Sequence, residues 1–371
     1  MDIIHNKPDS QLYAQTAAFA DTVPYPHSRE LSKDIGSVAT SLLAGNEVTT
    51  TEKRWNGETV ERTTSPNDYV DFLRSADPET RSDITFLSEK IDAFDDFSGS
   101  VDEALKGTED DDHYLGRGSN GKAFKFEQDG EGYAVKTGGV GYRDVRAFHR
   151  GEAMSPDRNI ARLAAIDLDH NRSVMSLVPG ELAETLTFSE RRAIPRAQIK
   201  DAVATALDMY DHGLVIDPKP SNFLYDKERG FGFIDYGAQD ADTRTTRAEQ
   251  AMSLRGMLTW HPNSPDEPRY GTPEYDAFHD QITSESTQIL NTFLDVLEED
   301  YPDVLQAAAE VQEKINNDPM TYSPGMVYDI SSLPDNEEGN AFKARILRLG
   351  LQGTAPRKPV EYDDSDFEVI G

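Results

Sequence analysis

Apolar residues along this chain recur first at helical spacing, then alternate, then return to helical spacing. Leu31, Ile35, Val38, Leu42 and Leu43 fall three and four apart, which predicts a helix capped by Ser28 and stopped at Gly45-Asn46. Val48 to Thr51 and Thr59 to Thr63 then read as strands around Trp55-Asn56-Gly57-Glu58. Asn-Gly supplies two positive-φ positions, so a two-residue hairpin turn is expected there. Helical spacing resumes in Tyr69, Phe72 and Leu73, and again in Ile84, Leu87, Ile91 and Phe94. Glu109-Asp110-Asp111-Asp112 interrupts the pattern as a solvated boundary. Residues 1–112 are therefore read as a mostly helical N-terminal extension with a β-hairpin. It is taken as a packing brace for the adjoining domain, the alternative being a regulatory or partner-docking module.

Beyond the break the pattern becomes strand-like. Lys122 to Phe126 alternates, a polar turn follows at Gln128 to Gly132, and Tyr133-Ala134-Val135-Lys136 continues as a strand. Tyr142 to Met154 reads as a short helix weakened at Gly151, since glycine costs a helix about 1 kcal/mol relative to alanine. Ile199, Val203, Ala206, Leu207 and Tyr210 mark a stronger amphipathic helix over 198–213, ended by His212-Gly213. His212 is read as a cap favoured by the helix dipole, not as a catalytic group. Phe223-Leu224-Tyr225 and Phe231-Gly232-Phe233-Ile234 predict a second hairpin, and helices are expected over Ala248 to Leu258, Tyr275 to Leu297, Val304 to Ile315 and Ala341 to Leu349. Residues 113–351 thus form an α+β domain, and 352–371, with Asp363-Asp364-Ser365-Asp366, read as an acidic disordered tail.

Composition narrows the partners. The 371 residues carry a net charge of −31, spread through the chain, which would repel nucleic acid and anionic membranes. No run approaches the roughly 18 apolar residues of a membrane span, and the first residues lack a signal-peptide pattern. With no cysteine, thiolate zinc sites and cysteine nucleophiles are excluded, and a cytoplasmic location is expected. Asp exceeding Glu and Arg exceeding Lys suggest a halophilic protein, whose carboxylates keep it hydrated where the Debye length falls to about 3 Å at 1 M salt.

Three polar groups stand at informative intervals: Asp217, then Asn222 after four residues, then Asp235 beside Gly237. Upstream, Gly116, Gly118 and Gly121 form a G-x-G-x-x-G with Ser119 and Asn120, and Lys136 ends an Ala-Val-Lys. Here the glycine motif lies between strands, which suits a hairpin folded over phosphates better than a helix N-terminus. In this order the motifs resemble those of the protein kinase-like superfamily, with V-I-D-P-K-P-S-N at the catalytic loop and D-Y-G at the metal-binding turn. The resemblance implies a bilobal fold, with a small β-rich lobe over 113–178 and a helical lobe over 179–351.

It also implies site roles. Gly116, Gly118, Ser119, Asn120 and Gly121 would cover the phosphates of ATP. Lys136, oriented by Glu152 with Asp144 as runner-up, would hold the α- and β-phosphates. Asn159 to Leu163 resembles the start of the fourth strand and Ser173 to Leu182 the fifth strand and hinge, where Met175, Ser176 and Val178 would border the adenine. Asp217 would orient the acceptor hydroxyl, Lys219 would reach the γ-phosphate, and Asn222 and Asp235 would ligate Mg2+. Pro218 and Pro220 stiffen the loop between them.

Departures accompany the matches. Val215 and Ile216 stand where the kinase pattern has His and Arg, so control by a phosphorylated activation segment loses its cationic partner. No A-P-E is evident, and the helix from Ala248 follows Gly237 closely; Gly271-Thr272-Pro273-Glu274-Tyr275 is treated as coincidence. The expected function is transfer of the γ-phosphate of Mg-ATP to a hydroxyl, with Lys219 tilting the acceptor toward protein Ser/Thr. The alternatives are a small-molecule phosphotransferase of the aminoglycoside or choline kinase kind, which the short segment favours, and a nucleotide-binding pseudokinase, which the retained groups disfavour.

Overall fold

The computed structural model of this chain describes residues 9–23, 31, 35–53, 59–118, 121–138, 141–239, 245–259, 272–317 and 335–353. The predicted cap Ser28, the turn Asn56-Gly57, Ser119 and Asn120, Gly271 and the tail beyond Gly353 lie outside these residues, as do the side chains of Phe278 and Ile282.

The described elements begin with α1 (Ser10–Thr22), α2 (Ile35–Leu43), β1 (Val48–Lys53), β2 (Thr59–Thr64), α3 (Pro66–Ser75) and α4 (Pro78–Ala104). Then come β3 (Tyr114–Gly118), β4 (Gly121–Gln128), β5 (Glu131–Thr137), α5 (Tyr142–Glu152), β6 (Leu163–Asp167), β7 (Arg172–Ser176) and β8 (Glu181–Leu182). After α6 (Phe188–Arg192) and α7 (Arg196–Asp211) follow the short strands β9 (Leu214–Ile216), β10 (Phe223–Asp226), β11 (Gly230–Phe233) and β12 (Tyr236–Ala238). Helices α8 (Arg247–Thr259), α9 (Pro273–Asp300), α10 (Pro302–Asn317) and α11 (Glu337–Arg348) complete the mixed α+β chain.

Contacts divide the chain into two compact units, the first comprising Met1–Gly180, Asp208–Asp217 and Leu224–Arg244. Its N-terminal core gathers Phe19, Leu31, Val38, Leu42 and Tyr69 from the first helices. The alanine-rich α1 carries no sharp apolar stripe and was not anticipated. Ser65 and Asp68 cap α3 reciprocally, and Asp77 with Pro78 starts α4, each satisfying amide groups that a helix start leaves unpaired. β1 and β2 pair as expected, but Lys53 lies opposite Thr59, whereas a two-residue Asn56-Gly57 turn would place it opposite Val60.

The larger sheet of this unit has the order β3-β4-β5-β7-β6, antiparallel throughout. Phe94 and Val101 of α4 share one core with Phe124, Phe126, Val135, Ala165 and Val174 of the sheet. The acidic break before β3 is thus a local turn, in which the Thr108 amide donates to Asp111 Oδ2 at 2.6 Å, and α4 still packs on the strands beyond it. Asn159 to Arg162, expected to open the fourth strand, lie ahead of β6. Ile160 instead bridges Phe233 of β11, with the Phe233 amide donating to Asn159 O at 2.9 Å.

The second unit comprises Glu181–Leu207, Pro218–Phe223 and Thr245–Gly371. The expected apolar faces are buried, through Ile199, Val203 and Leu207 of α7, Phe293 and Leu297 of α9, Val304 and Ile315 of α10, and Phe342 and Ile346 of α11. Arg191 is only 3% exposed, and its guanidinium donates to the carbonyls of Ala183, Leu186 and Leu258. Burial pushes it down to about 10. Arg345 joins Glu298, Asp295 and Asn291 on α9. Gln352, placed in the tail by its sequence, accepts from Asn316 Nδ2 at 2.9 Å.

A β-carbon at Gly121 would lie 1.4 Å from the carbonyl oxygen of Thr137 on β5, so β4 and β5 can pair here only through glycine. Gly121→Ala is expected to destabilise the first unit by about 3 kcal/mol, the upper range for overpacking, read as a lowered urea midpoint at unchanged slope.

Candidate active site

The glycine motif lies where strand chemistry requires it. β3 and β4 pair antiparallel to Gly118 opposite Gly121, so the motif closes a hairpin. Gly116 and Gly121 are needed for different reasons. Gly116 has φ +145 with open space around it, a backbone requirement, whereas Gly121 answers the close approach of Thr137.

Lys136 on β5 points its Nζ at Asp235 Oδ1, 3.4 Å away and 99 residues later in the chain. The Asp235 side chain is 56% exposed, so the pair contributes about 1 kcal/mol or less to stability and reports position instead. Asp235 itself has φ 59, a left-handed conformation that costs a non-glycine residue about 1–2 kcal/mol. That turn separates β11 from β12 and sets the carboxylate apart from the strands on either side.

Tyr236 follows as the first residue of β12. Its ring meets Phe148 of α5 edge-on at 5.6 Å, and its buried hydroxyl donates to Ala161 O at 2.6 Å. Burial holds the phenol above its ordinary range. The same hydroxyl explains Gly151, since a β-carbon there would come within 2.7 Å of it. Gly151, read from sequence as a weak point of the helix, is thus the price of packing α5 against the tyrosine.

Glu152 does not meet Lys136, contrary to expectation. It lies 4.0 Å from Lys90 Nζ and 3.9 Å from Arg162 Nη1, at the C-terminal end of α5. Eight residues, or about 12 Å of helix, separate it from Asp144 in the first turn. Asp144 accepts the Gly141 amide at 2.7 Å and lies in the field of Lys136 and Asp235. Burial raises its carboxyl, the Gly141 amide and Lys136 act in the opposite direction, and Asp235 and Asp21 raise it further. The runner-up is therefore the acid beside the lysine.

β9 and β12 pair antiparallel with Ile216 opposite Tyr236, so Asp217 and Asp235 occupy adjacent positions at one end of that ladder. The structure thus brings Lys136, Asp144, Asp217 and Asp235 to one region of the first unit. Val215 and Ile216 lie in β9 itself, where Ile216 is buried. Lys219 and Asn222 belong to the second unit, with Lys219 exposed before a short 3-10 turn and Asn222 buried at its end. His212 Nδ1 lies 2.8 Å from Asp208 O at the end of α7, the capping position expected of it.

At the expected hinge, the Ser176 amide donates to Arg162 O at 2.8 Å and the Leu177 amide to Gly132 O at 3.0 Å. Ser176 Oγ accepts the Arg162 amide. Met175 pairs with Ala134 inside the sheet and Val178 is buried.

Sequence reasoning missed two arginines. Arg162 closes the end of α5 by donating to Gly151 O at 2.7 Å and Ser155 O at 2.9 Å, orphan carbonyls of the last turn and the residues after it. Arg150 donates to Gly213 O and Gln239 O, each at 2.9 Å, and to Glu79 Oε1 at 2.7 Å. For Arg150 the one signal was the basic run Arg143 to Arg150 in an otherwise acidic chain; Arg162 had none.

Among the described residues, no three His, Asp or Glu side chains converge as a ready metal cage. A single carboxylate such as that of Asp235 suits magnesium, which keeps several waters and takes few protein ligands. No protein-family model matches the chain, and a search of curated proteins finds no match.

A carboxyl raised in the fold stabilises fully below its unfolded value, about 3.9 for Asp, and that contribution is lost as pH rises through the folded value. Asp144→Asn retains an oxygen for the Gly141 amide and removes the buried charge. The variant is expected to be at least as stable as the parent at pH 7 and to lose that advantage toward pH 4, compared by urea midpoints at both.

Proposed function

We propose that the protein is an ATP-dependent kinase of protein kinase-like bilobal fold, transferring the γ-phosphate of Mg-ATP to a protein Ser/Thr hydroxyl. The observation that carries the reading is the meeting of Lys136 with Asp235, two groups singled out by motif and 99 residues apart, beside Asp217 in the strand register. The order of glycine hairpin, lysine strand, helix and two further strands also fits the resemblance.

Each group has a distinct task. Lys136 holds the α- and β-phosphates, with Asp144 keeping the ammonium oriented when it leaves Asp235. The glycine hairpin covers the phosphates, and the hinge at Met175 to Val178 borders the adenine. Two of its amides are engaged in the sheet, so the backbone of Val178 is assigned the adenine edge. Magnesium, held by Asp235 and Asn222, would neutralise phosphate charge. Asp217 orients the acceptor hydroxyl and takes its proton as the new oxygen–phosphorus bond forms. The bond between the γ-phosphorus and the β–γ bridging oxygen breaks, ADP leaves, and Lys219 stabilises charge on the transferred group.

A small-molecule hydroxyl is the second reading, favoured by one observation. β12 ends at Ala238 and α8 begins at Arg247, a short segment for holding a peptide.

Purified protein in molar salt is expected to turn over Mg-ATP, and a screen of proteins against sugars and amino alcohols distinguishes the acceptors. Asp217→Ala should lower transfer by about a hundredfold or more, the scale of a positioned acid–base group, with ATP affinity nearly unchanged. Absence of any turnover or labelling in the parent protein refutes the kinase reading; loss of ATP binding in the variant refutes the role given to Asp217.

A further inference from the structure

The basic run on α5 is held by acids that precede the sheet in the chain. Arg143 Nε lies 3.4 Å from Asp21 of α1, and Arg146 Nε lies 3.5 Å from Asp83 of α4. His149 Nδ1 lies 2.6 Å from Asp83, whose side chain is only 4% exposed, and the Tyr142 hydroxyl lies 3.5 Å from it. Phe86, one turn along α4, stacks on the His149 ring at 4.7 Å. Glu79, one turn earlier, takes Arg150 at 2.7 Å.

Arg150 faces two ways. One guanidinium nitrogen meets Glu79, and the other donates to Gly213 O and Gln239 O. Those carbonyls flank the β9–β12 ladder at the end away from Asp217 and Asp235. Gly213 O also accepts the Gln239 amide at 2.7 Å, so Arg150 closes the ladder where its own hydrogen bonds stop. A planar guanidinium can serve both carbonyls and the carboxylate together, which a lysine ammonium cannot do in a fixed plane.

We infer that Arg150 is a positioning residue for the catalytic strands, and that Glu79 and Asp83 of α4 make the N-terminal segment an in-chain activator. Ile216 occupies the place of the arginine through which a phosphorylated activation segment would act. The cation that orders these strands comes instead from α5, and its orientation comes from α4. The effect on turnover rests on the kinase reading; the effect on the strands does not.

The test uses the full chain with Glu79→Gln, Arg150→Gln and the double variant, following amide hydrogen exchange and Mg-ATP turnover. Glu79 is 62% exposed on its side chain, so Glu79→Gln leaves folding intact. It is expected to speed exchange in β9 and β12 about fivefold and to lower kcat by a similar factor at unchanged KM for ATP. The double variant should be no worse than Arg150→Gln, because Glu79 acts through Arg150. Asp83→Asn should extend faster exchange along α5.

Exchange in Glu79→Gln confined to the start of α4, additive effects in the double variant, or unchanged kcat in an active enzyme each overturn the inference. If the parent shows no turnover, the kinase reading falls and exchange alone decides the brace. Acceleration in β12 then sustains it, and none refutes it.

Discussion

A carboxylate taken out of water needs partners, and Asp83 is the point where this chain meets that requirement. Burying an unpaired charge costs several kcal/mol, so a fold that encloses Asp83 has to deliver donors to it. All those described here, Tyr142, Arg146 and His149, come from α5. α4 is itself held by Phe94 and Val101 in the sheet core. The position of α5 is therefore fixed from outside the site by two contacts in series, an apolar one that holds α4 to the sheet and a polar one that holds α5 to α4.

From that helix the constraint passes forward through small clearances. Phe148 and the absent side chain of Gly151 leave the space that Tyr236 fills, and the tyrosine hydroxyl reaches Ala161 O. Tyr236 begins β12, so placing its ring also places the turn before it, where Asp235 holds φ 59. Strain of about 1–2 kcal/mol persists only where surrounding structure over-determines it. Here the ladder to β9 on one side and Phe233, bridged to Ile160, on the other supply that determination.

How much of this was legible in the sequence depended on distance along the chain. The strands around the glycine motif, the paired residues Lys136 and Asp235, and the capping role of His212 rest on local patterns or on motif order, and each could be named from the residues. Which α5 acid lies nearer Lys136, Glu152 or Asp144, was misordered, because a helical carboxylate is selected by the rotation and start of α5 relative to β5. Gly141, whose amide donates to the Asp144 carboxylate at 2.7 Å, sets that start. Gly151 read as a defect because its reason, Tyr236, lies far along the chain. The acidic break at 109–112 read as a boundary because charge runs report solvation. Whether the helix before the run shares a core with the strands after it is a separate matter, decided by Phe94 and Val101.

The contacts divide by how readily they can be exchanged. At the front, Lys136 and Asp235 form a long, exposed pair that salt screens strongly at molar concentrations, so its release for a competing anion costs little. At the back, Asp83 and Arg150 make short hydrogen bonds in sites where solvent screening is weaker. The proposed phosphoryl transfer requires that asymmetry. Groups that exchange partners during a cycle have to be held weakly by one another and strongly by their scaffold, or each exchange would disturb the geometry on which the next depends. In a chain carrying 68 acidic and 37 basic residues, basic groups are scarce. Concentrating three of them, together with His149, within Arg143 to Arg150, against acids from α1 and α4, places the persistent electrostatics behind the site and leaves Lys136 free of a permanent buried partner.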